Sequence, residues 1–375
     1  MIRLIIRTTC VLSALSIVSL GLTSCTQNED STQAISPDRQ TTAAQASSKR
    51  ADPEMQLVLD QLSSLGGKPL ETLSPVEARN QPTPADAVKA LLKKKGLDAS
   101  PAPVGKVGEL MITGGAGQIP ARIYTPNGRG PFPVILYIHG GGWVIATIDT
   151  YDSSARALTN AAGAVVISIE YRKGPEHKFP AAHDDAFAAY KWALANAASL
   201  NGDPKRVAVV GESAGGNLAT HVSIMARDRK VPMPVYQVLI YPVANNDLTS
   251  ASMKDNINAK PLYPAVLPWF LGHYLNNQAE SGDPRISLVK ADLRGLPATT
   301  LITAEIDPLR SEGRMLADKL SAAGVTVEYR NYDGVTHEFF GMGAVVGQAK
   351  HAVALAAEGL QRGFIAGAQT GQTVH

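Results

Sequence analysis

The chain has 375 residues, 45% of them hydrophobic and 18% charged, with 33 glycines and 24 prolines. This is ordinary globular composition, long enough for a large core in one α/β domain plus additions. A formal net charge of only +2 argues against nucleic acid as a partner.

Arg3 and Arg7 form a basic start, followed by an apolar stretch, residues 11–22, too short to span a bilayer as a helix. It ends in Leu22-Thr23-Ser24-Cys25, which resembles the lipobox of bacterial lipoprotein signal peptides. The resemblance implies a leader over residues 1–24, cleavage before Cys25, a diacylglycerol thioether on Cys25 and acylation of the new terminus. An ordinary secretory signal with an incidental cysteine is the alternative. Loss of residues 1–24 removes two arginines and no acid, leaving a formally neutral chain, and Cys10 goes with them. Cys25 is then the only cysteine, so no intramolecular disulfide is expected. Thr26 in place of an aspartate points, in the lipoprotein sorting rule, to the outer membrane. The location expected is therefore the bacterial cell envelope, with a lipid membrane as partner through Cys25. Residues 25–50 are rich in Ser, Thr, Gln and Ala and read as a tether, since they carry too little apolar surface to order themselves.

Helical spacing then appears at Met55, Val58, Leu59 and Leu62, and again at Ala85, Val88, Leu91 and Leu92. Between them Ser74 is placed to cap a short helix begun by Pro75. The sheet pattern begins near Val107. Residues 110–113 and 121–124 read as antiparallel edge strands. Residues 134–138 and 164–169 are near-continuous apolar runs, the mark of strands covered on both faces. A helix follows over 181–200, and then strands at 206–210, 234–241, 299–303 and 325–332, with helical patterns between them. Alternation of this kind predicts an α/β fold with a doubly wound, mostly parallel sheet, whose active site lies at the carboxyl ends of the strands.

The residues able to carry chemistry fall at those ends. Val207 to Val210 run into Gly211-Glu212-Ser213-Ala214-Gly215, a G-x-S-x-G sequence in the strand–turn–helix setting that presents a serine hydroxyl at the top of a sheet. His139-Gly140-Gly141-Gly142 follows a buried strand. Its glycines let backbone N–H groups approach a substrate, and with the N–H of Ala214 they would form an oxyanion hole. Asp307, followed by Pro308, is the expected orienting acid, with Glu305 its rival. His337, on a turn past a strand, is the expected base. The order serine, acid, histidine is that of the α/β-hydrolases.

His139-Gly140-Gly141-Gly142-Trp143, Gly211-Glu212-Ser213-Ala214-Gly215-Gly216-Asn217, Asp307-Pro308-Leu309 and Gly334-Val335-Thr336-His337-Glu338-Phe339 together resemble the bacterial hormone-sensitive-lipase family of esterases. So do Tyr171-Arg172 and the stretch from Pro175 to Asp185. The resemblance covers roughly residues 51–364. It implies a serine carboxylesterase of the α/β-hydrolase fold, acting on a small-molecule ester with Ser213 as nucleophile, His337 as base and Asp307 as its orienter, and needing no cofactor. It further implies a helical cap over the site, built from residues 51–100 and an insertion at about 243–282, the remainder of 101–375 forming the catalytic domain. Tyr263, Trp269, Phe270 and Tyr274 would then be cap core rather than a substrate platform. Glu212 and Lys173-Gly174 depart from the family pattern, and the sequence assigns Glu212 no role. His177, His183, Asp184 and Asp185 fit no standard metal-ligand spacing, and His183 to Asp185 are expected to satisfy the start of a helix. His221 and His273 read as packed or surface histidines. A non-catalytic receptor on the same scaffold, like the plant gibberellin receptors, and an amidase or peptidase are the alternatives.

Overall fold

The computed structural model of the protein describes residues 51–370. The expected leader over 1–24, Cys25 and the expected tether over 25–50 lie outside them. Three short helices come first: α1 (Pro53–Ser64), α2 (Pro75–Arg79) and α3 (Pro84–Lys94). Each starts with proline at its first position, where the missing N–H costs nothing, after an Asp52, Ser74 or Thr83 side chain that caps the first turn. Ser74 and Thr83 form reciprocal capping boxes with Glu77 and Asp86.

The remaining elements are β1 (Lys106–Gly114), β2 (Gly117–Thr125), β3 (Phe132–Ile138), α4 (Asp152–Ala162), β4 (Val165–Ile169), α5 (Ala181–Asn196), β5 (Gly202–Glu212), α6 (Ala214–Asp228), β6 (Gln237–Ile240), α7 (Ala251–Asp255), α8 (Leu267–Tyr274), β7 (Thr299–Ile306), α9 (Arg310–Ala322), β8 (Val327–Thr336) and α10 (Gly347–Thr370). The eight strands form one sheet in the order β1-β2-β4-β3-β5-β6-β7-β8. β1 and β2 pair antiparallel with each other, β2 pairs antiparallel with β4, and every later pair is parallel. This is the mostly parallel sheet that the alternation of strands and helices predicts.

Burial on both faces explains why the central strands are apolar throughout. Val134, Leu136 and Ile138 of β3 face one core layer, with Ala182, Ala186, Ala189 and Ala193 of α5 and Leu218 and Val222 of α6. Ile135 and Tyr137 face the other, with Leu158 of α4 and Ala349, Ala352, Ala356 and Leu360 of α10. The same second layer holds Met55 and Val58 of α1 and Ala87, Val88, Leu91 and Leu92 of α3. Alanine at i, i+4, i+7 and i+11 lets α5 lie close on the sheet.

Several boundaries move. β6 is confined to Gln237–Ile240. β8 continues to Thr336, because a shift of register between Ala304 and Ile306 lets Thr336 pair with Ile306. His337 is therefore the first residue beyond its strand. The apolar periodicity leaves α4 and α10 unmarked: α4 buries Ser154 and Thr159 beside Ala155, Leu158 and Ala162, and α10 presents Ala349, Ala352, Ala356 and Ala357, a weak hydrophobic signal.

Leu136 is fully buried at the centre of the sheet. Leu136→Ala is expected to lower the unfolding free energy by about 2–5 kcal/mol in urea titration. A loss near zero would show that this layer can collapse around the gap.

Candidate active site

The turn between β5 and α6 places Ser213 at φ 56°, ψ −119°, a conformation that L-residues rarely adopt. It is held there by four backbone bonds. Ser213 N donates to Ile240 O (2.9 Å), and Ser213 O accepts from Gly216 N (3.0 Å), Asn217 N (3.2 Å) and Val243 N (3.1 Å). A side chain at Gly211 would strike the carbonyl of Gly215, and one at Gly215 the carbonyl of Ile138. The two flanking glycines are therefore required by contact with the turn itself and with β3.

Above this turn the structure brings Ser213, His337 and Asp307 together. His337 Nε2 lies 2.9 Å from Ser213 Oγ. On the other side of the ring, Nδ1 lies 2.7 Å from Asp307 Oδ2. With Nδ1–H donating to the carboxylate, Nε2 is left as the acceptor for the serine hydroxyl. All three residues are buried. Asp307 Oδ1 accepts from Leu309 N at 2.8 Å, which fixes the carboxylate. Glu305, the rival acid, points elsewhere and accepts from Gly334 N at 2.8 Å. Burial opposes a charge on His337, but Asp307, through its charge and its hydrogen bond, outweighs it and raises the histidine pKa, with Glu338 and Glu212 adding to the effect.

The glycine loop adjoins the serine. A Cβ on Gly140 would come within 3.1 Å of both Ser213 Cβ and Glu212 O and would strike the Tyr151 hydroxyl. Gly141 and Gly142 have φ of 93° and 57°. The amides of Gly141, Gly142 and Ala214 donate to no acceptor among the described residues, so they are free to receive a developing oxyanion. Below the loop, the Tyr171 hydroxyl donates to His139 O (3.1 Å) and Gly140 O (2.9 Å).

Two cations outside the triad brace this loop, and sequence reasoning assigned a role to neither. Arg79 of α2 donates to Val144 O (2.9 Å) and Gly174 O (2.7 Å) and pairs with Glu176. Lys173 donates to Ala146 O at 2.5 Å and pairs with Glu170. Glu170 in turn accepts from Ile148 N at 2.9 Å, and its Oε1 lies 3.7 Å from His139 Nε2. Burial works against its charge, yet His139 and Lys173 hold Glu170 down at about 2. A Cβ on Gly174 would press on His273 O and Tyr274 Cα of α8. The Lys173-Gly174 departure is thus a strut for the glycine loop and a close seat for α8.

Glu212 has a place as well. It is buried directly before the serine, accepting from the Tyr137 hydroxyl at 2.5 Å and from the Tyr241 hydroxyl. Burial, and then the charge of Glu338, push its pKa up to about 7 against the pull of those donors. The Tyr241 ring lies against His337, with centroids 4.4 Å apart. Glu312 is buried too, accepting from Ala244 N at 2.8 Å, and burial pushes it up to about 8.

A cavity of about 460 Å³ opens over Ser213 and His337. Leu59 and Leu62 of α1, Leu262, Tyr263 and Phe270 give it apolar walls, and Arg79, Tyr151 and Glu338 also face it. The aromatic stretch therefore divides. Tyr263 and Phe270 line the cavity, whereas Tyr274 is buried and stacks on Trp143 with centroids 4.9 Å apart.

The histidines and acids near α5 do not satisfy the helix start as expected. Asp185 instead accepts from Gly115 N (2.7 Å) and pairs with Arg172. His183 bonds the Tyr274 hydroxyl (2.8 Å) and packs edge-on against buried His221. Both serve tertiary packing that no local pattern specifies. Among the described residues no group of three or more His, Cys, Asp or Glu is disposed to hold a metal ion.

Changing Gly140 to alanine is expected to cut kcat by about 10² or more, the scale of a lost oxyanion contact, while far-ultraviolet circular dichroism stays unchanged. Activity within twofold of the wild type would show that the loop can move away from Ser213.

Comparison with known proteins accords with this geometry. A family profile described as the α/β hydrolase fold matches residues 135–341. The carboxylesterase NlhH of Mycobacterium tuberculosis is 41% identical over 253 residues, 66% of this chain and 79% of that protein. An ethyl acetate hydrolase of Pseudomonas putida is 36% identical over 263 residues, 68% of this chain and 82% of that protein. An esterase structure from Pyrobaculum calidifontis superimposes with a TM-score of 0.75 at 35% identity, covering 83% of this chain and 98% of that one. The chain belongs to the α/β-hydrolase family, on its hormone-sensitive-lipase-like branch, among the esterases.

Proposed function

We propose that the site hydrolyses carboxylic esters with short to medium acyl chains through an acyl-enzyme intermediate. The observation that carries this reading is the continuous hydrogen-bonded line from Ser213 Oγ through His337 to Asp307 at the floor of an apolar cavity. Ser213 Oγ attacks the ester carbonyl as His337 Nε2 takes its proton. The carbonyl oxygen gains the negative charge and is received by the amides of the Gly140–Gly141–Gly142 loop and Ala214. His337 then returns the proton to the departing alcohol, leaving the acyl group on Ser213. Water enters, gives its proton to His337, and releases the acid by the same steps in reverse. Asp307 holds the ring in its working tautomer and stabilises the imidazolium.

In this reading residues 51–100 and about 243–282 form the helical cap, supported by their share of the cavity walls. The apolar walls select the acyl or alcohol chain by burial, worth about 0.8 kcal/mol per CH₂.

Ser213→Ala is expected to abolish turnover of p-nitrophenyl butyrate, and a fluorophosphonate probe to label Ser213 in the folded wild type alone. Turnover retained in the variant would falsify the assignment, and an unlabelled wild type would favour a receptor. Matched ester and amide substrates separate esterase from amidase.

The lipobox-like sequence at Cys25 supports a lipid-anchored protein of the cell envelope, with the outer membrane favoured by Thr26. Several acyl chains on one cysteine would anchor it firmly, at about 0.8 kcal/mol per buried CH₂. Among the described residues no helix is long and apolar enough to cross a membrane. Replacing Cys25 by alanine should block metabolic labelling with a fatty acid, and labelling that persists would refute the anchor.

A further inference from the structure

Glu338 follows His337 and adopts φ 72°, ψ 5°, in the left-handed region where glycine would sit free of strain. A strained side chain beside a catalytic base points to function more than to folding. Its carboxylate turns into the catalytic cavity, where Oε1 lies 3.9 Å from His337 Nε2. That is the nitrogen facing Ser213, opposite the one that Asp307 engages. The Tyr151 hydroxyl donates to the same Oε1 at 2.6 Å. Tyr151 is buried, and its hydroxyl occupies the space that a side chain on Gly140 would need. The carboxylate is thus fixed between the base and the glycine loop.

We propose that Glu338 is a positioning residue that stabilises the imidazolium of His337 from its serine-facing side, so that two carboxylates set the pH at which the enzyme gains activity. The proposal rests on the reading of His337 as the general base. The other groups facing the histidine are Asp307 and Ser213, which it bonds, and the Tyr241 ring. Glu212 stands behind Tyr241, its carboxylate bonded by the Tyr137 and Tyr241 hydroxyls. Around Glu338 itself stand Tyr151 and His337, with the charges of Asp307 and His139 within reach. Burial disfavours charge on Glu338 and raises its pKa, while His337 and the Tyr151 hydroxyl favour its ionised form. Imidazolium and carboxylate therefore each support the other's charge. Because only neutral imidazole can accept the serine proton, removing the carboxylate lowers the histidine pKa and extends activity to more acidic solution.

The test compares wild type, Glu338→Gln and Glu338→Gly across pH. One readout is kcat/KM for p-nitrophenyl butyrate, and a second is the rate at which a fluorophosphonate modifies Ser213. Glutamine keeps the shape and the oxygen that Tyr151 bonds, and glycine relieves the backbone. In both variants the acid limb of both profiles is expected to move to lower pH by about one unit or more. The melting temperature of the glycine variant should equal or exceed that of the wild type. Acid limbs that coincide with the wild type in folded variants, or that move to higher pH, overturn the proposal. Failure of the underlying reading would look different, since His337→Asn would then retain wild-type modification of Ser213.

Discussion

The backbone of Ser213 is the constraint on which the rest of the site depends. A residue at φ 56°, ψ −119° stores strain of about 1–3 kcal/mol and persists only if its surroundings leave no alternative. Here the surroundings are three strands. β5 delivers the serine, Ile240 at the end of β6 accepts from its amide, Val243 just beyond β6 donates to its carbonyl, and the carbonyl of Ile138 at the end of β3 bears on Gly215. The parallel pairing of β3, β5 and β6 brings these groups to one edge of the sheet. That edge is also where α6 begins, so the amide of Ala214 is left free beside Ser213. The strain, the placement of Ser213 and the unpaired amide of Ala214 are one feature.

The glycine loop after β3 poses a second strain problem, met by charge. Gly141, Gly142, Trp143 and Ala146 all have positive φ, and a loop of that kind does not hold its shape alone. Arg79 reaches it from α2, Lys173 from the segment after β4, and both bind its backbone carbonyls. Each cation is balanced by a partly exposed glutamate, so the charges stay solvated on one side while fixing the loop on the other. The N-terminal helices are thereby coupled to the catalytic geometry by specific bonds as well as by the cavity they line.

Behind the triad, the chain accommodates acids that would otherwise be costly to bury. Glu212 receives two tyrosine hydroxyls, Glu338 one, and Glu312 two backbone amides. Each donor repays part of the desolvation that an isolated carboxylate would suffer. Of these, Glu338 and Glu212 join Asp307 in favouring positive charge on His337.

The fold class and the candidate residues Ser213, Asp307 and His337 are legible in the sequence alone. Both follow from signals local in the chain: apolar runs covered on two faces, glycines where no Cβ fits, and a serine, an acid and a histidine each at a strand end. The alanine-faced helix α10 is not legible there because a methyl group carries little periodic signal, nor is α4, whose buried face mixes Ser154 and Thr159 with apolar residues. Tertiary structure decided what depends on distant segments meeting. It separated Asp307 from Glu305, since Asp307 Oδ2 meets His337 Nδ1 whereas Glu305 accepts from the amide of Gly334. It gave Glu212 its tyrosines, Lys173 and Arg79 their carbonyls, and Glu338 its place beside Nε2. Those roles rest on contacts between residues as far as 187 positions apart, as in Tyr151 and Glu338, and no local pattern of residue types specifies which of them will touch.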